Sequence, residues 1–309
     1  MNYKSTYILA VLFISAAFHL QSFGVEIEGG IDLGYRTDKN QWTISGGEGG
    51  PTIISDLEWS DLQIIELEVG GELRYPKWAL RSSLAFGMMT SGANRDSDYV
   101  FDNREGEFSR STADTEGSTF DFTVEAAYII TLSEKGSILM PLAGFHYSNQ
   151  YHEDTNGVQE LDRRDLEAIL NGESTNLGPE DGELGPFDGL KSEYDSTWYG
   201  PYIGVELHIP LSEKSALRAG GRLHFFQYQA DLYWNLRDLD FENDADGLGW
   251  ALNLQYRYLF SEKWRFSVEL NQTTFESDEG TQTDPGGDID LNEAIWESLS
   301  FQAGLRYQF

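Results

Sequence analysis

Two aspartates set two residues apart, Asp96 and Asp98, form the pair in this chain that most directly suggests chemistry. On extended backbone, residues i and i+2 project to the same side, so the two carboxylates are neighbours. Like charges that close push one pKa upward. One acid can then hold a proton while the other acts as a base or orients a water. As a bare motif Asp-x-Asp is unspecific. The chain holds 52 Asp and Glu against 21 Lys and Arg, and most such pairs are solvated loop acids or contacts to a divalent cation.

Other chemistry is sparse. Asp244-Ala245-Asp246-Gly247 and Asp284-Pro285-Gly286-Gly287-Asp288-Ile289-Asp290 look like fragments of calcium loops. Neither has the remaining ligand spacing, so both read as acidic turns. There is no cysteine, which excludes disulfides and thiol chemistry. No zinc spacing, phosphate loop or serine triad stands out, and no cofactor is expected. A formal net charge of -31 excludes nucleic acid as a partner.

The elements that must position Asp96 and Asp98 follow from hydropathy patterning. In the last ten residues, Phe301, Ala303, Leu305, Tyr307 and Phe309 alternate with Ser300, Gln302, Gly304, Arg306 and Gln308. A chain that ends on an amphipathic strand with an aromatic terminus fits an outer-membrane barrel, whose outer face meets lipid. The same period recurs upstream. Ile65, Leu67 and Val69 alternate with Glu66 and Glu68, and Phe122, Val124 and Ala126 with Asp121, Thr123 and Glu125. Ten such segments are found, separated alternately by long polar stretches and short turns. Three turns share a Ser-Glu-Lys core, at 133–135, 212–214 and 261–263. The inward faces carry charges of both signs, which a dry soluble core would not hold unpaired.

The expected fold is therefore all-β: a ten-stranded antiparallel transmembrane β-barrel, with long extracellular loops and short periplasmic turns. Residues 1–24 read as a secretory signal peptide, with Lys4 before an apolar run from Tyr7 to Phe18 that is short for a membrane span. Residues 25–309 form the barrel, in the cell outer membrane with both termini periplasmic. A ten-stranded lumen is narrow and would be filled by an Arg/Glu lattice, so a wide pore is not expected.

The chain resembles the omptin family of outer-membrane endopeptidases, which are ten-stranded barrels. The likeness rests on strand order, loop rhythm, Ser55-Asp56-Leu57-Glu58-Trp59, the approach to Asp96-Ser97-Asp98-Tyr99, Pro201-Tyr202-Ile203-Gly204 and Gly220-Gly221. It is also similar to omptin-like surface proteins of chlamydia-like bacteria that have no assigned activity. By the omptin resemblance, Asp96 and Asp98 take the place of an acidic pair that faces an Asp-x-His pair across the barrel mouth. Counted from Gly220-Gly221, that second position falls on Asn235-Leu236-Arg237; a small slide gives Asp231-Leu232-Tyr233. Neither holds histidine. His208 and His224 read as lumen-lining; His146 lies on strand five and His152 at its outer end. The family's lipopolysaccharide clamp corresponds to Phe145-His146-Tyr147-Ser148-Asn149, which lacks both expected charges.

Two functions follow. The first is an omptin-like surface barrel without the Asp–His dyad, in a structural, adhesive or receptor role. The alternative is an endopeptidase that cleaves cationic peptides at the barrel mouth with Asp96, Asp98 and a non-standard partner. Expected partners are outer-membrane lipid and, at the loops, cationic peptides or a host surface, since an acidic mouth attracts cations at long range.

Overall fold

The computed structural model describes residues 24–47, 49–163 and 183–309. All but the last residue of the expected signal peptide lies outside them. Ten long strands run through the chain: β1 (Glu26–Ile44), β2 (Ser55–Arg74), β3 (Trp78–Phe101), β4 (Glu105–Tyr128), β5 (Ile138–Asp162), β6 (Ser192–Pro210), β7 (Ser215–Trp234), β8 (Leu239–Leu259), β9 (Trp264–Ser277) and β10 (Gly287–Gln308). Each pairs antiparallel with its sequence neighbours. β10 closes the ring on β1 from Glu28↔Gln308 to Ile44↔Leu291. The closure is completed where Phe309 N–H donates to Ile27 O at 3.0 Å. A closed ring leaves no unpaired edge.

The outer face carries the apolar belt that the alternation predicts. Ile31, Leu33, Leu67, Met88, Ile203, Leu252 and Phe301 are each about half exposed. Such a surface is stable only against lipid or detergent. At the end that carries the termini, Trp78 packs on Tyr128 and Trp264 on Tyr307, with ring centroids 4.8 and 4.9 Å apart. These pairs form part of an aromatic girdle. The Ser-Glu-Lys turns lie at this end, and their serines hold the turns closed. Ser212 Oγ accepts the N–H groups of Lys214 and Ser215, and Ser261 Oγ accepts that of Trp264.

At the other end the polar stretches take a form that hydropathy did not reveal: most of the described residues in each are strand. β3 and β4 are 24 residues long, whereas about 9–11 tilted strand residues cross a bilayer. The barrel therefore stands well above its belt. Above the hydrocarbon the outer residues need not be apolar, so the alternation fades while the backbone pairing continues. The acidic stretch from Asp231 to Gly247 is strand except for a four-residue turn, 235–238, between β7 and β8. Asp244 and Asp246 are exposed residues of β8, and Asp284 and Asp288 flank a tight hairpin. Among the described residues no cluster of His, Asp or Glu is placed to hold a metal. Leu161 and Asp162 end β5 as strand.

The lumen is filled in two tiers. Behind the belt lies the ionic lattice. Arg36 meets Asp38, Glu66 and Asp121 at 2.5, 3.1 and 2.7 Å. Arg81 bridges Glu125 and Glu206, both at 2.8 Å, and Arg222 and the Tyr202 hydroxyl also bind Glu125. Two polar cavities of about 270 and 240 Å³ share Glu28, Glu72, Arg218 and Arg257 in their walls. Above the lattice sits an aromatic tier that the sequence reading did not foresee: Trp42, Trp59, Trp198, Phe226, Phe275 and Trp296 form a buried core across the barrel. His146 and His224 lie at its lower edge, 5.5 Å apart by ring centroid, and both reach Phe275.

Candidate functional site

Asp96 and Asp98 lie on β3 itself, not in a loop after it. Register places them inward: Asp96 pairs with Leu57 and Ser111, and Asp98 with Ser55 and Ser109. A bulge in β2 between Ser60 and Gln63, matched by shifts in β3, sets this register above the belt. Both aspartates line a cavity of about 190 Å³ at the tall end of the barrel. One wall is the β2–β3–β4 face. The other is formed by β6, β7 and the β7–β8 turn, with Tyr194, Leu232, Trp234 and Arg237.

Both aspartates titrate above the ordinary carboxylate range, and burial is the main cause. Burial raises Asp96 above the ordinary range, and the charge of Asp98 raises it further. The Arg237 guanidinium and a hydrogen bond from Ser55 Oγ, at 3.4 Å, pull it down. Burial also raises Asp98, against the hydroxyls of Ser55 and Ser109 and the charge of Arg237. The pair thus retains a proton that isolated aspartates would have lost.

Of the two triplets that the resemblance offered for the second pair, the ungapped one reaches the cavity. Asn235 pins the turn: its Oδ1 accepts Lys191 N–H and its Nδ2 donates to Gly189 O, both at 2.8 Å. Arg237 lies in the wall, its guanidinium carbon 5.0 Å from the centre of the Trp234 ring, and forms no ion pair with either aspartate among the described residues. In the other triplet only Leu232 faces inward. Asp231 is exposed on the outer surface.

No described histidine lines this cavity. His152 is the nearest by position, facing inward on β5. It is 1% exposed and packs on Trp59 and Tyr194, which are themselves cavity residues. Its Nε2 lies 3.4 Å from Asn40 Nδ2, and burial pushes its pKa down to about 3. It is therefore a neutral ring behind the wall. His208 lines the cavity at the terminus-bearing end, and His146 and His224 the central one.

Two residues of this cavity were missed in the sequence. Asp154, on β5, accepts Thr115 Oγ1–H at 2.5 Å and Trp59 Nε1–H at 3.1 Å, and burial pushes it up to about 7. Asn94 shares the face of Asp96 and Asp98 and is 6% exposed, and its Nδ2 donates to no described acceptor. The i+2 spacing of Asn94 from Asp96 was the available signal. On strand five, Phe145, Tyr147 and Asn149 face outward. Asn149 donates to Asp195 Oδ1 at 2.5 Å, so the stretch presents no charged lipid clamp.

The sequence matches the family of Protochlamydia outer membrane proteins over residues 30–309. The chain belongs to that family. Its fold is similar to the crystal structure of the outer membrane protease OmpT from Escherichia coli: TM-score 0.74 and 17% identity, over 92% of this chain and 97% of that one. The translocator domain of the autotransporter NalP from Neisseria meningitidis is a looser likeness (TM-score 0.40, 11% identity, 99% and 98% covered) and carries no argument. No curated protein matches in sequence. This family member is thus an outer-membrane β-barrel of omptin-like fold, its belt embedded in lipid. At 17% identity the likeness to OmpT shows the fold alone.

Proposed function

We propose that this barrel is a surface protein that binds at its mouth and does not cleave peptides through an Asp–His dyad. One observation carries the reading. The wall facing Asp96 and Asp98 presents Arg237 and no imidazole among the described residues. A guanidinium stays protonated near neutral pH and cannot take a proton from water, so the base that such a hydrolysis needs is missing from its place. In this reading residues 1–24 direct export, both termini are periplasmic and the tall end faces outward. Its acidic rim attracts cationic peptides or a host surface.

A second reading has one observation of its own. Asp154 lines the same cavity with its pKa near 7, a value suited to a general base. An aspartic-type endopeptidase would use it as the partner of Asp96 and Asp98.

The two separate in one experiment. Refolded protein is incubated with dibasic fluorogenic peptides across about pH 5 to 8, the range in which such a base would change its protonation. The binding reading expects no cleavage above the blank. Cleavage abolished by Asp96→Ala and by Asp154→Asn, with both variants folded, refutes it and establishes the second.

A further inference from the structure

The mouth cavity carries opposite charges on opposite walls without pairing them. Asp96 and Asp98 occupy the β3 side and Arg237 the β7–β8 turn. Deeper in the lumen, the buried Arg36 and Arg81 are tied to carboxylates at hydrogen-bond distance. Arg237, exposed on its turn, instead sits over the Trp234 ring, with no ion pair to a described carboxylate. A second, independent observation points to an absent partner. Asn94 is almost fully buried in the same wall, yet its amide nitrogen has no acceptor among the described residues. A buried donor left unsatisfied forfeits its hydration with nothing in return, so a position of this kind persists where something supplies the acceptor.

The cavity's demands are specific. It offers acceptors for a cationic group at Asp96 and Asp98, and donors for an anionic one at Arg237 and Asn94. The same cavity also has an apolar surface from Leu57, Trp59 and Leu232. Its volume, about 190 Å³, is below that of drug-sized sites and suits one mid-sized amino acid. Asp154 and Glu193 add two further carboxylates to the lining, so the cavity favours a ligand that carries a cationic group.

We propose that the mouth cavity binds a zwitterionic α-amino acid with an apolar side chain, its ammonium on Asp96 and Asp98 and its carboxylate on Arg237 and Asn94. This rests on the non-peptidase reading above, since a turned-over peptide would occupy the same space.

The test uses full-length refolded barrel in detergent, with calorimetry against three probes of one shape: L-leucine, isopentylamine, which lacks the carboxylate, and 4-methylpentanoate, which lacks the ammonium. L-leucine is expected to bind at least about tenfold more tightly than either, as loss of one charged contact of about 1.4 kcal/mol or more requires. Arg237→Gln, on an exposed turn where folding is not at stake, should bring L-leucine down to the level of the amine and leave the amine unchanged. Asn94→Ala should weaken L-leucine severalfold. Equal affinity for L-leucine and isopentylamine, or no saturable L-leucine binding at millimolar concentration, overturns the inference and leaves the non-peptidase reading standing. Asp96-dependent peptide cleavage overturns that reading instead.

Discussion

Replacing Asp154 by asparagine should flatten part of the pH dependence of stability. Asp154 is 8% exposed and, among the described residues, accepts hydrogen bonds only from the neutral groups of Thr115 and Trp59. Burial is the largest influence on it and raises its pKa from 3.8 to about 7. Between those values the folded protein holds a proton that the unfolded chain has released, so stability falls as pH rises through this window. Below about pH 4 both states are protonated and the effect vanishes; above about pH 8 it is complete. The interval corresponds to at most about 4 kcal/mol. In the Asp154→Asn variant the amide oxygen can still accept from Thr115 and Trp59, and nothing titrates. The assay is equilibrium urea unfolding in detergent micelles, followed by tryptophan fluorescence at several pH values from about 4 to 9, which bracket the window. Asp96 and Asp98 titrate in both proteins, so the difference between the two curves isolates Asp154. Wild-type stability should drop by several kcal/mol more than that of Asp154→Asn. Parallel curves would refute the reasoning.

Further outcomes follow from the lattice and the strands. Arg36→Met removes the cation that three lumen carboxylates share and should destabilise the barrel by about 3–5 kcal/mol in the same urea assay. Gly117→Ala places a methyl group on the Tyr151 carbonyl oxygen, a backbone atom of the neighbouring strand. It should lower the folded yield sharply, seen as loss of the heat-modifiable band on electrophoresis. The aromatic tier above the ionic lattice should leave planar bilayers without stepwise conductance. Since the chain has no cysteine, a single Asp238→Cys in the β7–β8 turn reports orientation. An impermeant maleimide should label it in intact cells, whereas periplasmic placement of that turn would leave it unlabelled.

The barrel itself was legible in the order of residues. Alternation from Ile31-Asp32-Leu33 to Leu305-Arg306-Tyr307 specifies which side chains meet lipid, because a strand has only two faces and one of them must be apolar. The inward positions of Arg36, Glu66, Arg81 and Glu125 follow from the same rule, as does the shared face of Asp96 and Asp98. Hydropathy carries no such information above the hydrocarbon. There the outer face of a strand is polar too, so the upper halves of β3, β4, β7 and β8 look like loops until their backbones are seen to pair. The meeting of Asp96, Asn94, Asp154 and Arg237 depends on a bulge in β2 and on a four-residue turn pinned by Asn235. Register shifts of one residue reverse every side chain beyond them, so no local pattern could show that a guanidinium stands opposite the acidic pair.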